Sequence, residues 1–237
     1  MIYELIHSNL HNNCVALYRC EGFENNYFKK VALSNEGNKS IINESKGYDY
    51  FSNISGNKIK VNLNTETIYE INIPEIPGTR FRYNYSFPMN INVIENVIKF
   101  YKKSWMGKST IGIHGDFALS NIILAPNNEI YIIDWEHFHL SSYEYWGFDI
   151  IHLMFLTIYQ RSNRILNHEI NFLKKCYNSL CEGISEKNKI LEKPFVNSQK
   201  YMLSHENKFN VLVPITKKFI LADFSVDILE KLDLMIT

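Results

Sequence analysis

The sequence predicts an α+β chain in two parts: a small antiparallel sheet carrying one helix, then a mainly helical region. Three observations lead there. Short runs of strand type dominate before residue 73, a connector with two prolines and a glycine interrupts the chain at 73–78, and apolar residues at helical spacing prevail after residue 90. At 237 residues, with 46% hydrophobic and 14% aromatic content, the chain has ample material for a sizeable core.

Taken in order, residues 3–7, 14–20 and 27–33 read as three strands, separated by polar turns at 8–13 and 21–26. Residues 38–53 read as a helix with Ile41, Ile42, Ser45, Tyr48 and Phe51 on a mixed apolar face. Residues 58–63 and 67–73 form a hairpin around Asn64, Thr65 and Glu66. Pro74 and Pro77 with Gly78 exclude a regular element, so 74–78 is expected as a stiff extended hinge between a lobe at 1–73 and a second at 79–237. Beyond it, 90–101 places Ile91, Ile94, Val97, Ile98 and Tyr101 near one helical face. Residues 145–160 are apolar nearly all round, as suits a buried helix, and 165–180 and 219–232 are amphipathic. The stretch 182–213 is mixed and shows no clear period.

The densest chemical signal lies at 114–134, where His114-Gly115-Asp116 precedes Asn121 and the runs Ile122-Ile123-Leu124 and Tyr131-Ile132-Ile133 flank Pro126-Asn127-Asn128-Glu129. The two runs read as antiparallel strands joined by a four-residue loop, a register that sets Asn121 directly opposite Asp134. Opposed residues sit roughly 4.5–5.5 Å apart and point to one face, so an amide oxygen and a carboxylate would converge as ligands for Mg²⁺ held against phosphates. Phosphoryl transfer asks little more of a protein than a metal site, a carboxylate to take the acceptor's proton, and positioning. Asp116 is spaced for that carboxylate.

The pattern His-x-Asp-x-x-x-x-Asn, followed by a strand ending in Asp134, resembles the aminoglycoside phosphotransferase and choline kinase family, which has a protein-kinase-like bilobal fold. The resemblance implies an ATP-dependent kinase with Asp116 as catalytic base and Asn121 and Asp134 as Mg²⁺ ligands. It further implies a strand lysine on the nucleotide phosphates, Lys30 or its neighbour Lys29, paired with Glu44 of the following helix. Lys30 is preferred, because it precedes the aliphatic Val31. By the same analogy the turn that begins at Ser8 would cover the phosphates, and the hinge at Glu75 and Ile76 would meet the adenine edge. His114 would support the catalytic loop, Glu136 could add a carboxylate near the metal, and Asp149 resembles the residue that braces the loop, with helix-start stabilisation an equal contender. The turn at 8–13 lacks the glycines that protein kinases carry there, and Gly115 replaces their arginine.

Only about a dozen residues separate Asp134 from the buried helix, with no Ala-Pro-Glu, so a peptide acceptor is disfavoured and a small hydroxyl-bearing molecule, a sugar or aminoglycoside, is expected. Two other classes compete. A metal hydrolase could use His114, Asp116, Asp134, His137 and His139, and a non-catalytic nucleotide-binding module could keep the fold alone. A formal charge of zero argues against nucleic acid as a partner. Cys14, Cys20, Cys176 and Cys181 form no CxxC and are expected as free thiols. The longest apolar stretch, 148–159, falls short of the roughly 20 residues of a membrane span, and the amino terminus has no signal-peptide pattern, so a cytoplasmic protein is expected. The abundance of Asn, Lys and Ile suggests a bacterial, AT-rich source.

Overall fold

The computed structural model describes residues 3–8, 15–22, 25–81, 91–159, 167–184, 188–205 and 226–237. The chain is α+β, with a small antiparallel sheet in its N-terminal region and a helical C-terminal region. It divides into two compact units, residues 1–80 with 121–139, and residues 81–120 with 140–237.

In the first unit, strands β1 (Tyr3–Ser8), β2 (Val15–Cys20), β3 (Tyr27–Ala32), β4 (Asn62–Asn64) and β5 (Glu70–Pro74) form one antiparallel sheet in the order β1-β2-β3-β5-β4. Helix α1 (Asn35–Ser55) starts three residues before the expected point. Ser34 is its N-cap, accepting the Gly37 N–H at 3.2 Å and so satisfying a donor the first turn cannot. Gly56, at φ +76°, ends it. The β4–β5 hairpin is shorter and shifted: the Asn64 side chain accepts the Glu66 N–H at 3.0 Å, a local turn that delays re-entry into the sheet until Glu70.

The same unit holds β6 (Thr79–Arg80), β8 (Ile122–Leu124) and β9 (Ile130–Ile132), which pair in the order β6-β8-β9. Here the structure corrects the expected register. Ile122 faces Ile132 and Leu124 faces Ile130, so Asn121 stands level with Ile133, whose N–H it accepts at 2.9 Å, and Asp134 lies one residue further on. The cause is the turn. Ala125 donates to Glu129, leaving a loop of Pro126, Asn127 and Asn128, and Asn128 takes the left-handed conformation at φ +64°. Such a three-residue loop shifts the pairing by one step relative to a four-residue loop.

The second unit contains α2 (Ile91–Trp105), β7 (Thr110–Ile113), most of β10 (His139–Ser142), α3 (Phe148–Tyr159), α4 (Asn167–Cys181), α5 (Lys189–Glu192), α6 (Pro194–Ser204) and α7 (Val226–Ile236). Helix α2 buries Ile94, Val97, Ile98, Tyr101 and Trp105, and Trp105 donates its indole N–H to Gly112 at 2.9 Å, tying α2 to β7. Helix α3 is buried from Phe148 through Leu156, as its apolar composition requires. Helices α5 and α6 occupy the stretch whose sequence showed no clear period. Asp233 of α7 accepts the Phe195 and Val196 N–H groups at 2.8 and 3.3 Å, supplying the cap that the start of α6 lacks. Among the described residues Cys20, Cys176 and Cys181 are free thiols, while Cys14 lies outside them. No helix among the described residues is long and apolar enough to cross a membrane.

Candidate active site

Alternation along β3 sends two neighbouring lysines to opposite faces. Lys30 stands opposite Leu17 of β2 and the fully buried Ile71 of β5, whereas Lys29 stands opposite Tyr18 and Asn72 and pairs with Glu70 at 2.7 Å. Lys30 reaches Glu44 Oε2 at 2.7 Å and Asp134 Oδ1 at 2.5 Å. One ammonium thereby joins a strand, a helix and the segment after β9. Glu44 is an acid set into the buried face of α1 among Ile41, Tyr48 and Phe51, and its Oε1 is buried without a hydrogen-bond partner.

Electrostatics follow from this crowding. Burial opposes charge on Lys30, but the carboxylates of Asp134, Glu44 and Glu136 outweigh it and hold the ammonium well above the ordinary lysine range. Burial pushes Glu44 up to about 7 against the pull of Lys30. Glu136 accepts the Ser40 hydroxyl at 3.0 Å and lies 3.5 Å from His137 Nε2. Three carboxylates around one ammonium leave surplus negative charge.

By residue type Asn121 and Asp134 suit a magnesium ion, although the shifted register means that they do not meet as a directly opposed pair. Asn121 is 4% exposed at the end of a 3₁₀ turn (Leu119–Asn121), and Asp134, at φ +68°, already holds one cation, the Lys30 ammonium. One carboxylate and one amide oxygen suit an ion that takes its remaining ligands from phosphates and water. Among the described residues no three His, Cys, Asp or Glu side chains are grouped to hold a metal, so the His/Asp set of a metal hydrolase does not gather. His139 instead turns its Nδ1 to the His137 carbonyl at 3.0 Å.

Asp116, His114 and Asp149 belong to the second unit. Asp149, fully buried at the start of α3, accepts the N–H groups of His114 and Gly115 at 3.0 and 3.2 Å. Gly115 holds φ +85°, a left-handed conformation that glycine adopts without strain and an arginine would not. His114 Nδ1 accepts the Asp116 N–H at 3.2 Å, which requires the tautomer protonated on Nε2, and the ring packs edge-on against Phe117. Burial pushes Asp149 up to about 7, opposed by the two N–H donors and reinforced by nearby Asp116.

Ser8 closes β1 opposite Ala16, and the rest of the turn expected at 8–13 lies outside the described residues. Glu75 donates its N–H to Asn26 at 2.9 Å and holds Arg19 through its carboxylate, while Ile76 follows, half-buried. Sequence reasoning missed Ser40, Gly47 and Trp135. Ser40, Glu44 and Gly47 lie three or four residues apart, a spacing that marks one helix face, but nothing in the sequence names what that face meets.

Comparison with solved structures settles the fold. An aminoglycoside-3'-phosphotransferase of type VIII matches with a TM-score of 0.56 at 12% identity, over 88% of this chain and 93% of that one. This chain has the aminoglycoside phosphotransferase fold. WaaP, solved in complex with acyl carrier protein, matches with a TM-score of 0.52 at 13% identity, over 86% of this chain and 87% of its own. No family model and no curated protein sequence matches the chain. A fold of this kind was the expectation drawn from the motifs at 114–149 and the order of elements at about 3–113, and the likeness covers 88% of the chain.

Proposed function

We propose that this protein is a magnesium- and ATP-dependent kinase that transfers a phosphoryl group to a hydroxyl of a small polar acceptor, a sugar or aminoglycoside-like molecule. The observation that carries the proposal is the placement of Lys30 between Glu44 and Asp134. A lysine so held has its charge fixed and its position set by two elements, which is what a phosphate-binding ammonium requires. Asn121 and Asp134 are the proposed ligands of the metal, which would neutralise charge on the transferring phosphates, and Glu136 adds negative potential beside them. Lys29, engaged with Glu70, is the lesser candidate for the phosphates. The Glu75 carbonyl and the Ile76 backbone are the groups proposed for adenine, and the backbone after Ser8 for the phosphates.

Asp116 is the proposed base, orienting the acceptor hydroxyl and taking its proton as the oxygen attacks phosphorus. His114 fixes the Asp116 backbone through Nδ1, and Asp149 fixes the loop through two N–H groups, so both act on the position of Asp116. The surplus of carboxylates over ammonium near Asp134 supports a divalent cation there. A binding module that keeps the fold without turnover is the competing outcome.

The test is ATP consumption by the purified protein against a panel of sugars, aminoglycosides and amino alcohols, with and without Mg²⁺. Acceptor-stimulated, magnesium-dependent turnover supports the assignment. ADP binding with no turnover on any acceptor would favour the module.

A further inference from the structure

Asp134 occupies a left-handed conformation at φ +68° that residues with a Cβ adopt at a cost, so neighbouring structure must impose it. The next residue supplies a clamp. The Trp135 indole N–H donates to the Ile132 carbonyl at 2.8 Å, closing a loop around Ile133 and Asp134. Trp135 is itself fully buried, packed at 5.8 Å from the ring of Phe51 on α1 and at 5.9 Å from Phe138.

Its seat on α1 is Gly47. A Cβ placed there would lie 2.3 Å from Trp135 Cβ and 2.7 Å from its Cγ, a collision with the root of the side chain that no rotation about χ2 relieves. One and two turns earlier on α1, Glu44 holds Lys30 against Asp134 and Ser40 holds Glu136 at 3.0 Å. Residues 134, 135 and 136 are thus each tied, directly or through Lys30, to a different turn of one helix.

We infer that Gly47 and Trp135 are positioning residues for the metal ligand Asp134: the side-chain-free site at Gly47 seats the indole, and the indole holds Asp134 in the backbone conformation that aims its carboxylate. This rests on the proposed role of Asp134. It adds that metal affinity depends on a glycine in a helix with no chemistry of its own, through a contact that bypasses the nucleotide.

The test measures ADP affinity by calorimetry with and without Mg²⁺, together with urea unfolding, for the wild type and for Gly47→Ala, Trp135→Leu and Asp134→Ala. Gly47→Ala is expected to cut the magnesium-dependent gain in ADP affinity by about ten-fold, the scale of lost support behind a metal ligand, while leaving metal-free ADP affinity unchanged. Trp135→Leu, which loses both the indole N–H on Ile132 and the ring packed against Phe51, should lose the same gain. A wild-type gain in Gly47→Ala or in Trp135→Leu, or equal losses with and without metal, would each overturn the inference. If Gly47→Ala does not fold, Trp135→Phe, which keeps an aromatic ring but loses the indole N–H, takes its place, and a retained gain there is equally fatal. Should the wild type show no magnesium gain, or Asp134→Ala keep it, the role of Asp134 itself falls; a gain abolished by Asp134→Ala but untouched by Gly47→Ala sinks only the positioning.

Discussion

Asp149 Oδ1 accepts the Gly115 N–H at 3.2 Å, and it can do so because Gly115 turns the loop at φ +85°. Gly115→Ala keeps the chain length and puts a Cβ into a left-handed conformation, at a cost of about 1–2 kcal/mol. Urea unfolding should show that loss, and kcat should fall with it because Asp116 follows directly. Unchanged stability would mean that the loop relaxes to another conformation at no cost.

The pH dependence of stability carries a signature of Asp149. Its folded pKa, about 7, lies above the ordinary carboxylate value, so the folded state holds the proton more tightly than the unfolded state. The stability this contributes is complete at pH values below the ordinary carboxylate range and is lost as pH rises through about 7. Asp149→Asn has no proton to lose. The stability of the wild type relative to this variant should therefore decline between about pH 4 and pH 7 in urea unfolding. A flat difference would contradict the burial of an ionisable carboxyl there.

Lys30 is the only cation that approaches Glu44 among the described ion pairs. Lys30→Met leaves the Glu44 carboxyl buried without its partner, a change expected to cost about 3 kcal/mol, and Lys30→Met with Glu44→Gln should recover most of it. Nucleotide affinity should stay low in both variants, because neither restores a cation. Recovery of binding in the double variant would remove Lys30 from the phosphates.

Asp116→Ala should abolish phosphoryl transfer while leaving magnesium-assisted ADP binding within about two-fold of wild type, since the base acts on the acceptor and not on the nucleotide. Retained turnover would end its assignment as base. Asn121→Ala and Asp134→Ala should instead lose the magnesium-dependent part of ADP binding, and turnover with it.

Much of the fold was legible because it rests on local chemistry. Strand alternation placed β1, β2 and β3 within a residue or two, the composition of 145–160 marked the buried helix that runs from Phe148, and Pro77 and Gly78 marked the break after β5, although Pro74, expected in the connector, ends that strand opposite Tyr27. Boundaries shifted where a side chain supplied an unforeseen cap: Ser34 lengthened α1, and Asn64 delayed β5. Residues 182–213 stayed opaque because α5 is a single turn and α6 takes its cap from Asp233 of α7, thirty-eight positions from Phe195. The hairpin at 122–132 was visible as a hairpin, but its register turned on whether Asn128 would enter the left-handed region, a choice that Pro126-Asn127-Asn128-Glu129 leaves open.

By itself the sequence determined the types and spacings of the candidate residues: His114, Asp116, Asn121 and Asp134 along one stretch, two lysines on a strand, and an acid in the next helix. Only tertiary structure decided which lysine meets Glu44, that Asn121 lies level with Ile133, and that Gly47 is a seat for Trp135. The reason is physical. Spacing encodes which side chains share a face of one element, because strand and helix periods are local; what that face meets depends on packing between elements far apart in the chain, and a missing Cβ or a one-residue shift in pairing leaves no periodic trace.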